Sequence, residues 1–522
     1  MRVENSIKSI ASGLAGQLLY TILKVISRVA FVYALGSAYL GLNGLFTGII
    51  SILNITELGL SNAIVFALYK PIAEKDYSKI SALMNLYKKA YTIIGWIIFT
   101  AGVALIPFLP FIVNLGDKQE IVNINVVYML FLLETTTSYW FFEHKKSFLF
   151  AAQKNYIVNG YEYLFKIIFT ILQIGSIVFI TVISKEYRFY FYSVLGIVGN
   201  LCSKFAIKRY ANKHYPYQKE YHNEKLTDED KKAIVKNVSA LSLYKICTKI
   251  SNSITSILIS TMLYGGTILV GIYSNYTMIT SVIDTCLLTV TKGINASIGD
   301  YYVAESKEKS EFLYRSISLL FTWIYGFSSV CLLFLTNNFL FLVFGNEYVL
   351  SKSTLLIIVL NFWVIGQTRA ANSFRNASGI YWQGKFRPLV NVVINIVAAV
   401  LLAKPFGING ILFGILLGNV VTLLWYEPWL VYTKAFQMSW KPCFIKMIHQ
   451  NVVIMLTCLV CGVLISLLPL NGWINLIVRL LICTIVTNGI LLLSNFRTAE
   501  FDYIKQKAIA VLIGLLDKKR RL

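Results

Sequence analysis

The sequence predicts an all-α polytopic membrane protein of about fourteen transmembrane helices, and three observations carry that prediction. Hydrophobic residues make up 57% of the 522 and charged residues 14%, with a mean hydropathy of +0.65, whereas a soluble domain is roughly a quarter charged. Apolar runs near the length that crosses a bilayer, about 20 residues, recur from end to end. The basic residues fall almost entirely on alternate inter-span segments. A chain this apolar cannot hide its surface in a soluble core. That excludes a cytosolic enzyme, a secreted disulfide scaffold and a disordered chain.

The elements follow in order. Arg2 and Lys8 precede an apolar run that reaches Leu35. It is too long for a signal-peptide core and no small-residue cleavage site ends it, so it reads as a retained first span. The expected spans are 8–35, 39–68, 91–113, 124–142, 157–183, 189–207, 246–264, 267–290, 313–335, 353–374, 388–403, 407–429, 452–468 and 473–493. Lys404-Pro405 and Pro469-Leu470-Asn471-Gly472 split the last four into two short-looped hairpins. The expected organisation is an N-terminal lobe (1–210), a cytoplasmic linker (211–245), a C-terminal lobe (246–430), two further spans (431–493) and a basic amphipathic tail (494–522). Thr227 ahead of Asp228, Glu229 and Asp230 reads as a helix N-cap in the linker. In the tail, Ile504, Ala508, Val511, Leu512 and Leu515 precede Lys518-Lys519-Arg520-Arg521, as in an interfacial helix with a basic end. Trp440, Trp473 and Trp140-Phe141-Phe142 fit interface anchors.

With both termini in the cytoplasm, 39 of the 48 Lys and Arg lie in cytoplasmic segments. This positive-inside bias accounts for the net charge of +23 without a nucleic-acid partner. A shift of 230 residues brings Gly36 onto Gly266, Gly41 onto Gly271, Thr47 onto Thr277 and Ser51 onto Ser281. Six spans separate the copies, so they read as parallel repeats related by a pseudo-two-fold axis along the membrane normal.

Lys24 and Arg28 are four residues apart and share one face of the first span. Lys24 stands about 22 Å up the helix from the last cytoplasmic polar residues, beyond snorkelling reach. A cation facing lipid at that depth costs at least about 2.5–3.5 kcal/mol. The pair therefore lines water or meets an anion; the structural alternatives are an ion pair with Glu57 and an outward snorkel for Arg28. Glu57 and Asp284 lie at matching depths in matching helices, as coupling-ion sites for H⁺ or Na⁺ or as caps of a buried polar network. Glu134, Glu162 and Lys166 are the other notable span charges, and Glu162 and Lys166 are spaced to neutralise each other. The eight Cys, Cys458-x-x-Cys461 included, read as small core hydrophobes. The four His lack metal-ligand spacing, so neither a metal nor an organic cofactor is expected. No nucleophile motif or Walker loop appears, and no outside loop is large enough for a catalytic domain. A membrane glycosyltransferase or polymerase is accordingly disfavoured, and the chain reads as a non-enzyme.

Several stretches resemble bacterial polysaccharide-export flippases of the Wzx type. They are Tyr39-Leu40-Gly41-Leu42-Asn43-Gly44-Leu45-Phe46-Thr47, Glu57-Leu58-Gly59-Leu60, Leu68-Tyr69-Lys70-Pro71-Ile72-Ala73-Glu74, Gly271-Ile272-Tyr273-Ser274-Asn275-Tyr276, Arg375-Asn376-Ala377-Ser378-Gly379 with Arg387-Pro388, and Trp425-Tyr426-Glu427-Pro428. The resemblance implies the multidrug/oligosaccharidyl-lipid/polysaccharide superfamily, with two six-helix lobes around a central cavity and two extra C-terminal helices. It further implies a bacterial plasma-membrane protein that moves an undecaprenyl-pyrophosphate-linked oligosaccharide between leaflets, alongside polysaccharide polymerase machinery. On that reading Lys24 and Arg28 bind the pyrophosphate, Lys249, Arg369 and Arg375 draw the headgroup in, and Tyr273, Asn275 and Tyr20 meet sugars. Plain positive-inside charge and core packing are the alternative readings for those last six. A cation-coupled multidrug exporter and a peptidoglycan-precursor flippase of the same superfamily are the competing functions.

Overall fold

A computed structural model describes residues 2–54, 60–118, 122–216, 246–251, 253–380, 383–384, 386–468, 471–507 and 509. Glu57, most of the expected linker and the Lys518–Arg521 end of the tail lie outside the described residues. The described chain is helical and carries no strand. Its helices are α1 (Arg2–Leu35), α2 (Ser37–Leu53), α3 (Leu60–Glu74), α4 (Tyr77–Ala104), the single turn α5 (Leu109–Ile112), α6 (Ile124–Trp140), α7 (Glu143–Ala151), α8 (Asn155–Val178) and α9 (Lys185–His214). They continue with α10 (Ser253–Met262), α11 (Gly266–Ala304), α12 (Lys307–Phe344), α13 (Lys352–Gln367), α14 (Arg369–Ser378), α15 (Arg387–Asn419), α16 (Tyr426–Leu430), α17 (Lys441–Ser466) and α18 (Gly472–Asn495). Among the described residues nine helical segments are long and apolar enough to cross a membrane, with α2 and α10 as shorter apolar helices. The all-α polytopic expectation therefore holds. One of the nine, Arg387–Phe436, contains two of the expected spans.

The chain divides into two compact units, Met1–Ser274 and Asn275–Leu522, so the boundary falls inside α11. In the first unit α1 lies along α8, α8 along α9, and α6 packs on α4 and α9. Gly36 turns α1 into α2 at a φ of 94°, and Gly265 turns α10 into α11 at 62°. The second turn thus sits one residue ahead of the position the 230-residue shift assigns it. α2 then crosses the first turns of α11 at near-backbone contact. A methyl group on Gly41 would land on the Thr267 carbonyl, and one on Gly271 would come within 2.7 Å of both the Gly41 nitrogen and the Ser37 carbonyl oxygen. Small residues let membrane helices approach this closely, where packing replaces the hydrophobic drive.

In the second unit α12 is the central helix, packed on α13, α17 and α18. The chain within α15 turns back at Gly407, whose φ of 57° and ψ of −135° suit glycine alone. The break comes two residues after Pro405, where the sequence places the split. Gly410, Gly414 and Gly418 recur every fourth residue and seat against Leu402, Ala399 and Asn395 of the preceding arm. A ladder of amides holds the arms: Asn391 donates to Asn419 at 3.0 Å and Thr422 at 2.9 Å, Asn395 to Asn391 at 3.1 Å, and Asn419 to Asn361 at 2.7 Å. Every buried polar group there finds a partner, as the absence of water in lipid requires. Cys458 and Cys461 pack in an apolar cluster with Cys331, Cys483, Val330 and Ile465.

Candidate functional site

The first unit holds a polar chamber of about 450 Å³ lined from α1, α6, α7, α8 and α9. Three carboxylates (Glu134, Glu143, Glu162) and three ammonium groups (Lys146, Lys166, Lys204) line it, with Tyr20 and Gln173. Two of the acids are tied. Glu143 pairs with Lys204, whose ammonium also donates to the Ser138 carbonyl at 2.8 Å, and with Lys146 at 3.6 Å. Glu162 meets Lys146 at 2.7 Å and Lys166 at 3.6 Å. The i,i+4 neutralisation expected of Glu162 and Lys166 is therefore present, but Lys146 makes the shorter bond. Glu134 forms no ion pair among the described residues; Gln173 and Tyr20 are its chamber neighbours.

Glu143 opens α7, a short helix outside the spans. Burial pushes its carboxyl up, but the charges and hydrogen bonds of Lys204 and Lys146 outweigh that and hold it below the usual carboxylate range. Beside it, burial together with Lys145 and Lys88 pushes the His144 imidazole down to about 3. His144 is thus a neutral packing residue at neutral pH.

On the α1 side of this unit, Lys24 is exposed and lies in the field of Arg28 and Lys166. Arg28 donates to the Ser274 hydroxyl on α11. The Lys166 ammonium stands 5.9 Å over the Tyr20 ring and 5.6 Å over the Tyr163 ring. Three cations therefore gather where α1 meets α8, inside two of the candidate spans. Lys249 donates to the Ser51 hydroxyl at 3.4 Å, and Tyr273 is half-buried.

The second unit brings Asp284 and Arg369 together. The Arg369 Nη2 reaches both Asp284 oxygens, at 2.7 and 2.8 Å, and the Tyr325 hydroxyl donates to Asp284 at 2.6 Å. Both side chains of the ion pair keep about a quarter of their surface exposed. Asn275 is fully buried. Arg375 is buried too. Its Nη1 donates to Glu427 at 2.6 Å, and Arg387 Nε lies 2.9 Å from the same oxygen. Breaking such a buried pair leaves an uncompensated charge, which costs about 3–5 kcal/mol, so this trio braces α14 against α16.

Sequence reasoning counted Lys146 and Lys204 only as cytoplasmic charge and left out Glu143. The available signal was the length of α9, which runs past its apolar stretch to His214 and carries Lys204 on the chamber side.

No family model matches the chain, and no curated protein does. Solved structures match its fold. The inward closed conformation of the lipid II flippase MurJ aligns with a TM-score of 0.63 at 15% identity, over 92% of this chain and 98% of that one. An inward-facing multidrug resistance MATE family transporter of the MOP superfamily aligns at 0.55 and 14%, over 78% and 93%. A MOP superfamily transporter from Pyrococcus furiosus, described as having a binding pocket of reverse polarity, aligns at 0.51 and 16%, over 84% and 96%. The chain thus has the fold of MOP-superfamily transporters.

Proposed function

We propose that the protein is a flippase that carries an undecaprenyl-pyrophosphate-linked oligosaccharide repeat unit from the inner to the outer leaflet of a bacterial plasma membrane. The observation that carries this reading is the cluster of Lys24, Arg28 and Lys166 within the spans of the first unit. Glu162 already stands 3.6 Å from Lys166, and a further anion is favoured where like charges gather at that depth. A pyrophosphate supplies concentrated negative charge with several acceptor oxygens, and charge-assisted hydrogen bonds to it are the strong kind. The polyprenyl tail stays in lipid while the sugars need a hydrated path. A cation-coupled exporter of organic cations is the alternative, and it would use the acidic and aromatic groups of the same chamber, Glu134, Glu143, Glu162 and Tyr20. The expected motion is alternating access by rocking of repeats.

The two acids fit different steps. Asp284 is held by Arg369, so an anionic headgroup that takes Arg369 releases Asp284. Among the described residues no lysine pairs with Glu134, which makes it the better proton acceptor for coupling. The flipped repeat units pass to a polymerase that builds capsule, O-antigen or another exopolysaccharide.

The fold shared with MurJ favours a second reading, a peptidoglycan-precursor flippase, which needs the same cationic site. Mass spectrometry of lipid-linked intermediates in a strain lacking the gene separates the readings. Complete sugar repeat units should accumulate on undecaprenyl pyrophosphate while surface polysaccharide disappears. Accumulated lipid II would select the second reading. Unchanged intermediates with altered drug sensitivity would overturn both.

A further inference from the structure

The first unit has a second cavity that the transport reading leaves unused. It is a groove of about 830 Å³ on α8 and α9. Its lining changes character along α9. Phe165 and Phe205 form the apolar end, and Lys208, Arg209, Asn212 and Lys213 form the polar end. Among the described residues no acidic side chain lines it. The Lys208 ammonium is held beside the apolar part, 4.0 Å over the Phe142 ring and 5.6 Å over the Phe205 ring.

We propose that this groove holds a resident anionic phospholipid with a hydroxyl-bearing headgroup, of the phosphatidylglycerol type. One acyl chain lies against Phe165 and Phe205. The phosphate sits among Lys208, Arg209 and Lys213. A headgroup hydroxyl meets the Asn212 carboxamide, which lines the groove. Positive-inside bias accounts for lysines at this end of a helix. It does not account for an apolar recess directly beside them, nor for the carboxamide set among the basic groups. Basic pockets between membrane helices recognise anionic headgroups. A choline headgroup would bring a fourth positive charge and no hydroxyl donor. Inorganic phosphate would leave the apolar half of the groove uncovered. The assignment is independent of what the protein transports.

The test is native mass spectrometry of the full chain with equimolar phosphatidylglycerol, phosphatidic acid and phosphatidylcholine. Wild type should retain phosphatidylglycerol over phosphatidylcholine. The variant Lys208→Gln/Arg209→Gln/Lys213→Gln should lose that preference by at least about tenfold, from roughly fivefold per basic residue. A control, Lys75→Gln/Lys88→Gln/Lys89→Gln, neutralises three exposed lysines outside the groove and should leave it unchanged. Asn212→Leu should remove the preference for phosphatidylglycerol over phosphatidic acid while both anions still bind, and it stands in if the triple variant does not fold. Equal losses in the groove and control variants would reduce the effect to general surface charge and overturn the assignment. So would an unchanged lipid ranking in Asn212→Leu, or displacement of the lipid by millimolar inorganic phosphate.

Discussion

Gly41 rests on the carbonyl of Thr267, and Gly271 rests on the carbonyl of Ser37. Each contact is the 230-residue image of the other. Reciprocity of this kind, residue i on j and its image on the image of i, is what a two-fold axis imposes on a contact. It occurs between the stretches that the sequence repeat matches, so the repeat has a physical role there: both copies supply the glycine that their crossing needs.

Gly41→Val and Gly271→Val should each destabilise the protein, because backbone rather than a movable side chain stands in the way. The expected cost is about 1–3 kcal/mol. Gly160→Ala, which meets nothing within 4 Å on α8, should be neutral or stabilising by up to about 1 kcal/mol. Fluorescence-monitored melting of the detergent-solubilised protein decides this, and equal melting points for all three would contradict the crossing.

Transport should depend on the charge of the α1 cations rather than on their shape. Lys24→Gln and Arg28→Gln should each lower flipping of a lipid-linked oligosaccharide in proteoliposomes by about tenfold or more, the worth of one lost charge-assisted hydrogen bond at about 1.5–3 kcal/mol. Lys24→Arg should keep most of the activity. Wild-type rates in Lys24→Gln/Arg28→Gln would remove the basis of the proposed function.

If Glu134 takes the coupling proton, Glu134→Gln should transport at a rate that no longer responds to an imposed pH gradient, while downhill exchange of substrate persists. Glu162→Gln, whose acid is already tied to Lys146 and Lys166, should retain its response. A gradient response preserved in Glu134→Gln would assign coupling elsewhere.

Asp284→Asn should lower stability because it leaves Arg369 partly buried without its counter-ion. Arg369→Gln should do the same. The double variant should be less destabilised than the sum of the two, with a coupling of about 1–3 kcal/mol. Additive losses in a double-mutant cycle would show that the pair seen at 2.7 Å does not operate in the folded protein.

Glu500 follows α18 and lies beyond the spans. Burial pushes its carboxyl up, but the hydrogen bond from Lys446 and the charges of Lys446 and Arg315 hold it below the ordinary range. A carboxyl whose folded value is depressed contributes stability above its unfolded value, about 4.3, and loses it as pH falls through the folded value. The melting point of wild type should therefore fall on acidification below about pH 4.3 more steeply than that of Glu500→Gln. Glu500→Gln should already melt lower at pH 7. Parallel curves would rule the contribution out.

The fold was legible because lipid imposes it. Apolar runs and alternating basic segments follow from the cost of burying charge and unpaired backbone, and both are linear features of a sequence. The turns were legible only roughly: Gly36, one of the glycines the repeat picks out, carries a positive φ, the counterpart turn falls at Gly265 and not Gly266, and the break comes at Gly407, two residues beyond Pro405. The candidate site was legible only in part. Lys24 and Arg28 announce themselves because a cation in an apolar run is costly. Arg375 and Lys204 do not, because each lies at the polar end of its helix. Partnership between distant helices separates their environments, Glu427 for one and Glu143 for the other. Asp284 and Arg369 entered the sequence reading as two separate functions and are a single contact in the folded unit.

Two π turns, Val420–Leu424 and Val431–Phe436, flank α16 and its Glu427. A turn bonded from i to i+5 wraps one residue more than an α turn while the helix beyond it keeps its facing. Each is therefore a place where the chain can shed a single residue, closing to an α turn, without rotating Glu427 away from Arg375 and Arg387. The same change in α17, which has no such slack, would turn everything beyond it by about 100°. This stretch of helix is thus where length variation among descendants of this sequence is mechanically cheapest.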